Sequence, residues 1–378
     1  MLKLGKTNFL KYYTNYIVIA IVTIVFGGIS LTGTLPFSTI NLLEKIAISI
    51  ILATSLSMVV GFLGELSLGH AGFMCLGAYI GGKVSCLLEP ALGNGVIALL
   101  ISLIVGGAVA AIFGIVIGLP ALRLKGDYLA IVTLAFGEIV RTVFMNSSDE
   151  SFGGSLGLAT PRYNKKYLFI FAFILVIVCL AVIQNFIRSK HGRAITSIRD
   201  NEIAAKATGI NVTKYKLTVF TISSLFAGIA GVLYSYSNYR VQSVNFDYNY
   251  SIEILVMVVL GGMGSINGAI IAATLITYLD TTLQTVLTGD LAVLQDLFYA
   301  LILIVLVIYN NAPALKTFRT THSLKALLNK FKKHDPSHRR DDEAKWDRVP
   351  TKIEMNEILS VDLQPSSSTV NPDKKEGK

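Results

Sequence analysis

The chain has 378 residues, of which 53% are apolar and only 15% charged, against about 25% charged in an ordinary soluble protein. The charges are uneven: residues 12–311 hold 30 of them in 300 positions, whereas residues 312–378 hold 24 in 67. A net charge of +9 without a polar folded surface to carry it points away from nucleic-acid binding, because most of the basic residues flank apolar runs and read as marks of membrane orientation.

A helix that crosses a bilayer needs about 20 mostly apolar residues. In chain order, uncharged stretches of that kind fall at 17–35, 46–64, 90–122, 167–187, 217–239, 254–279 and 297–315. Two more, 66–88 with Lys83 and 128–145 with Glu138 and Arg141, carry a small polar content. The 254–289 stretch contains Gly261, Gly262, Gly264, Gly268 and Asp280; it is too long for one straight helix and reads as two spans or a re-entrant break. The alternation of a transmembrane β-barrel is absent. The expected fold is an all-α polytopic membrane protein of ten transmembrane helices, some broken at glycines, with eight as the fallback count.

Basic residues mark the cytoplasmic side. If Lys3, Lys6 and Lys11 lie inside, ten crossings bring the Arg123/Lys125 turn, the 188–216 loop and everything after 315 to the same side, which then holds 26 of the 33 basic residues. Both termini are therefore expected in the cytoplasm. The first span has no small-residue cleavage signature, so it reads as a helix rather than a signal peptide. Residues 1–315 form the expected membrane domain, and 316–378 a charged cytoplasmic tail, largely disordered on its low apolar content.

Several motif readings fail. Gly64–Gly69 has the glycine spacing of a phosphate loop, but His70 and Ala71 stand where Lys and Ser or Thr are required. The Gly261–Gly268 cluster lacks the dinucleotide-binding spacing and the strand–helix unit that goes with it. Cys75, Cys86 and Cys179 lack disulfide or metal spacing and read as small core residues. No nucleophile motif or carboxylate pair in a soluble cleft remains, so the chain reads as no enzyme, with no cofactor and no metal of its own.

What remains is glycine and small polar residues inside apolar spans. Glycines let membrane helices approach closely. The segments 64–79 and 261–278 differ from simple packing because Ser67, His70, Ser265 and Asn267 interrupt them, and broken helices beside a cavity recur in transporters. These four residues are candidates for a translocation pathway, joined by Glu138. Glu138 and Arg141 share a helix face at i, i+3 and read either as a structural ion pair or as the lining of a polar path. Glu65, Lys83 and Glu253 read as interfacial residues that snorkel.

The loop at 188–216 carries seven basic and two acidic residues. Ser197 and Asp200 fit a capping pattern, Glu202, Ala204 and Ala205 follow, and Gly209 suits a C-terminal stop, so a short helix is expected over 197–209. It would either rest on anionic lipid or dock into another protein.

At this loop the chain resembles the LivM-type permeases of branched-chain amino-acid ABC importers. The resemblance rests on His191-Gly192-Arg193-Ala194, Arg199-Asp200-Asn201-Glu202-Ile203-Ala204-Ala205 and Thr208-Gly209-Ile210-Asn211, with Gly69-His70-Ala71-Gly72-Phe73, Phe136-Gly137-Glu138-Ile139-Val140-Arg141 and Leu260-Gly261-Gly262-Met263-Gly264-Ser265 in order elsewhere. It covers residues 40–312. It implies a bacterial inner-membrane permease that works with a second LivH-like permease, two cytoplasmic ATPases that bind ATP and magnesium, and an external binding protein that delivers an amino acid. It further implies that Arg193, Arg199, Asp200, Glu202, Ala204, Ala205 and Gly209 belong to an ATPase-coupling loop. Related scaffolds carry urea, short amides or sugars, and an ATP-independent channel or carrier is the reading from another class.

Overall fold

The computed structural model describes residues 36–286, apart from 93–94, 125 and 162–164, together with scattered helical positions within 16–29 and 297–308. The expected spans at 17–35 and 297–315 and the tail at 316–378 fall largely or wholly outside the described residues. Among the described residues the fold is helical apart from one two-residue β-ladder. Among the described residues, seven helices are long and apolar enough to cross a membrane; the ten expected from the sequence include the two segments outside this set.

The first described span, α1 (Phe37–Ser57), starts nine residues before the expected position. Pro36 is extended at φ −61° and ψ 145° and its carbonyl accepts from Thr39 and Ile40, which sets the helix entry. Glu44 and Lys45 therefore lie inside the helix. Glu44 is accommodated because Ser237 Oγ donates to its carboxylate at 2.5 Å in a fully buried position. The last turn of α1 widens into a π-helix at Met58–Leu63, and Gly64 at φ +81° ends it. Residues 64–69 are non-helical, so α2 (His70–Leu92) begins at His70 rather than at 66.

Three further spans, α3 (Val96–Ala121), α4 (Asp127–Met145) and α6 (Lys165–Arg188), follow, with the one-turn α5 (Asp149–Phe152) before α6. Two short helices, α7 (Lys190–Asp200) and α8 (Glu202–Ala207), make the loop that precedes α9 (Val212–Ser237). The 254–289 stretch resolves into α10 (Tyr248–Gly261), too short to count as a full span, and α11 (Ile266–Val286). The expected break lies between them at Gly262–Ser265. At the end of the bundle away from α7 and α8, β1 (Leu158–Ala159) pairs antiparallel with β2 (Arg240–Val241), and Thr160 Oγ1 donates to the Ser235 carbonyl at 2.8 Å. This ladder ties the α4–α6 connection to the end of α9.

Helix α9 is the centre of the bundle and packs on α1, α2 and α3. Glycine makes that possible. A Cβ on Gly77 of α2 would lie 2.1 Å from the Gly228 carbonyl oxygen of α9, and one on Gly228 would lie 2.4 Å from Ala110 Cβ of α3. The backbones of α2 and α9 and the Ala110 methyl of α3 thus meet with no room for a larger side chain, which is the close approach that small residues permit between membrane helices. Helix α4 is held by rings as well: Phe136 sits 4.9 Å from Phe73, and Phe144 stacks on Tyr79 at 4.3 Å.

Gly228→Val would force α9 away from α3. Overpacking of this kind costs about 1–3 kcal/mol, so we expect a clearly lower thermal unfolding midpoint in detergent, with little change for Leu87→Ala on an exposed face.

Candidate functional site

The two helix breaks meet. A Cβ on Gly61, in the π-helix, would lie 2.4 Å from the Gly264 amide nitrogen, so the end of α1 and the α10–α11 hairpin touch backbone to backbone. Both ends also face α7. Arg199 Nη1 donates to the Gly61 carbonyl at 3.1 Å, while its Nε and Nη2 donate to Asp200 Oδ1 at 3.0 and 2.9 Å. Asp200 fixes the guanidinium, and the Arg199 stem lies over Gly64, where an added Cβ would meet Arg199 Cγ at 2.7 Å. Gly61 lies among the last four residues of the π-helix, whose carbonyls have no partner within the helix, and an arginine with five donors in a planar fork is suited to claim one.

A second attachment lies beside the first. Lys216, 4% exposed at the start of α9, donates to Glu65 Oε1 and, at 3.1 Å, to Glu202 Oε2. Glu202 also holds Lys206 at 2.7 Å. Glu65 is thus part of a buried ion network and not a snorkelling interfacial residue. Lys206 foremost, with Lys216 adding to it, holds the Glu202 carboxyl down from 4.5 to about 2.

The loop folds as two helices where one was expected at 197–209. Ser189 caps α7 by accepting from the His191 amide at 3.1 Å. Ser197 lies inside α7, its hydroxyl turned back to the Ala194 carbonyl at 2.7 Å. Asn201, extended at φ −158°, ends α7 and caps α8 by accepting from the Ala204 amide at 3.0 Å. An asparagine in β conformation caps better than a serine already committed to back-bonding. Gly209, at φ +85°, ends α8 as expected, and the Ile210 amide donates to the Ala205 carbonyl at 3.1 Å. Ala205 is buried, whereas Arg193, Ala204 and above all Ile203, at 79%, are exposed.

The other candidates divide between the two breaks and α4. Ser67 and His70 are buried, and His70 Nε2 sits 2.8 Å from Ser55 Oγ. Ser265 accepts from the Gly268 amide at 3.1 Å and so starts α11, with Asn267 exposed beside it. Glu138 pairs with Arg141 at 2.8 Å on an open face of α4, both side chains about one-quarter exposed. The first break reaches this helix: the Leu68 amide donates to Thr133 Oγ1 at 3.0 Å, and a Cβ on Gly72 would meet Gly137 Cα at 2.6 Å. It reaches α10 as well, through the Ala71 amide and Ser251 Oγ at 3.2 Å. Sequence reasoning missed Lys216, whose partners lie 151 and 14 residues away, and Ile203, whose exposure only the packing of α8 decides.

Removing one partner of a buried ion pair costs about 3–5 kcal/mol, since it strands the other charge. Lys216→Met is therefore expected to accelerate hydrogen exchange of the 202–207 amides in the folded protein. The sign of the pH response follows from a lowered carboxyl: the Glu202 contribution is complete above 4.5 and is lost as pH falls toward 2. Exchange protection of α8 should be the same at pH 7 and about pH 5.5 and decline as pH falls from 4.5 toward 2.

Residues 38–309 match the family described as "Branched-chain amino acid transport system / permease component". The chain is 35% identical over 274 residues to the high-affinity branched-chain amino acid transport system permease protein LivM of Salmonella typhimurium, covering 63% of this chain and 62% of that protein. It is 34% identical over 275 residues to LivM of Escherichia coli, covering 65% and 62%. The ribose import permease protein RbsC of Escherichia coli is 28% identical over 192 residues, 48% of this chain and 56% of that one. No solved structure matches significantly. The matched part spans just under two thirds of the length of the LivM relatives, and on the family match, which takes in both helix breaks, the loop and α4, the chain belongs to the permease component family of branched-chain amino acid transport systems.

Proposed function

We propose that this chain is the membrane-spanning permease subunit of an ABC importer that moves branched-chain or other hydrophobic amino acids across a bacterial cell membrane. A second, LivH-like permease would complete the pathway, an external binding protein would deliver the amino acid, and two cytoplasmic ATPases would hydrolyse ATP. The chain is then a transport subunit and not an enzyme. The proposal includes ten crossings with both termini in the cytoplasm, a membrane domain over 1–315 and a cytoplasmic tail over 316–378; the distribution of basic residues supports that orientation.

The observation that carries the reading is the bond from Arg199 to Gly61. An ATPase drives a pathway only if its nucleotide states contact the permease differently, and a cytoplasmic element must carry that difference to the spans. The exposed Ile203 and Ala204 on α8 offer the contact surface. Displacement of α7 and α8 then acts on Gly61 through Arg199 and on Glu65 through Lys216. Thr133 and Gly137 pass the motion from the 64–72 segment to α4, which carries Glu138 and Arg141. A charge facing lipid at mid-span costs about 2.5–3.5 kcal/mol on insertion scales, which favours a polar path or the second permease against this face of α4.

In proteoliposomes holding the full complex, Arg199→Ala and Gly209→Val should abolish ATP-driven uptake of L-leucine while membrane insertion and docking of the binding protein persist. Wild-type uptake by both variants would overturn the coupling assignment. Uptake of a sugar or an amide in place of leucine would overturn the substrate class and leave the mechanics standing. For orientation, cysteines introduced at Asn8 and Ser366 should resist an impermeant thiol reagent in intact cells.

A further inference from the structure

The start of α7 carries charge that the contacts to Gly61 and Glu65 leave unused. Lys190 and Arg193 on α7 and Lys214 in the first turn of α9 are exposed, and among the described residues none of the three pairs with a carboxylate. Lys190 and Arg193, which the resemblance placed in the coupling loop, share a helix face at i, i+3. Ring contacts bring Lys214 to them: His191 lies 6.1 Å from Phe186 of α6 and 5.8 Å from Tyr215, the neighbour of Lys214 on α9. No acidic residue stands in the first turn of α7 or α9, so the positive ends of two helix dipoles add to the patch. Like charges gathered in this way repel unless an anion sits among them.

The second observation is apolar. Ile174, Val178 and Val182 recur every four residues along α6 at 45%, 47% and 43% exposure, and Asn185 and Arg188 continue that exposed face to the turn before α7. From Ile174 to Arg188 the helix rises about 21 Å at about 1.5 Å per residue, which matches one leaflet with its headgroup layer, half of about 40–45 Å. Patch and stripe together have the polarity of one phospholipid.

We propose that the α6–α7 turn and the start of α9 form a binding site for an anionic phospholipid. Its phosphate lies among Lys190, Arg193 and Lys214, and an acyl chain runs along Ile174, Val178 and Val182. Tyr215 and His191 stand at headgroup depth, where amphipathic rings are favoured. A soluble acidic protein would meet the three cations but not the apolar stripe that descends from them. A neutral lipid would cover the stripe and leave the cations uncompensated. The loop then divides its work: the start of α7 rests on lipid, and the exposed Ile203 of α8 stays open to a partner. The site does not depend on the import reading, since a headgroup occupies it whatever the chain carries.

Bromolipid quenching of a single tryptophan tests the site in the full chain. With Trp346, the one native tryptophan, changed to Phe, Val182→Trp places the probe on the stripe. Ile104→Trp, on an exposed position of α3, serves as the lipid-facing control. In phosphatidylcholine bilayers, dibrominated phosphatidylglycerol should quench position 182 at about tenfold lower mole fraction than dibrominated phosphatidylcholine, whereas position 104 should not distinguish the two. Lys190→Gln and Lys214→Gln should each lower the preference about fivefold, the effect of one cation at an anionic surface. Lys190→Arg and Lys214→Arg should keep it, and added salt should reduce it. Equal quenching by the two lipids at position 182, the same preference at position 104, or an unchanged preference in both Gln variants would each overturn the site. Loss of the preference in excess glycerol phosphate would assign the patch to a soluble phosphate and overturn the lipid. Copurification separates lipid from protein: if Lys190→Gln and Lys214→Gln detach an ATPase yet leave the preference for phosphatidylglycerol intact, the cations belong to a protein interface and the proposal falls.

Discussion

Everything in this structure depends on how the backbone groups released at two helix breaks are satisfied inside an apolar bundle. Within hydrocarbon a free N–H or C=O costs several kcal/mol, so a helix can break only where protein supplies the partner. Here the partners come from different elements. Arg199 takes the Gly61 carbonyl, Thr133 takes the Leu68 amide, and Ser251 takes the Ala71 amide. A break repaired within its own helix would be a local kink. A break repaired from α4, α7 and α10 makes one joint of four elements.

The ion network around Lys216 has a different role from the Arg199 bond. Arg199 is more than one-third exposed on its side chain, and Asp200 two-thirds, so that contact is cheap to remake in a second geometry. Lys216 is buried with a carboxylate on either side, and separating it from them would leave charges stranded. In the proposed coupling, the buried contact would serve as the pivot and the exposed one as the point that slides. A loop held at two points of unequal strength would rotate when pushed, rather than translate, so that under this proposal a contact at Ile203 would become a change of angle at Gly61.

The parts of this arrangement legible in the sequence are those with local signatures. Charge-free runs marked the spans, the glycine-rich stretches marked both breaks, and Glu138 and Arg141 could be paired from their i, i+3 spacing alone. Helix ends were harder where two residues competed for one role: Ser197 and Asn201 both suit a cap, and only the back-bonding of Ser197 to Ala194 decides between them. The start of α1 was misplaced because Glu44 looks too costly for a span until Ser237, 193 residues away, is seen to donate to it. Lys216 was invisible for the same reason, since a cation flanking an apolar run is read as interfacial unless its distant carboxylates are known.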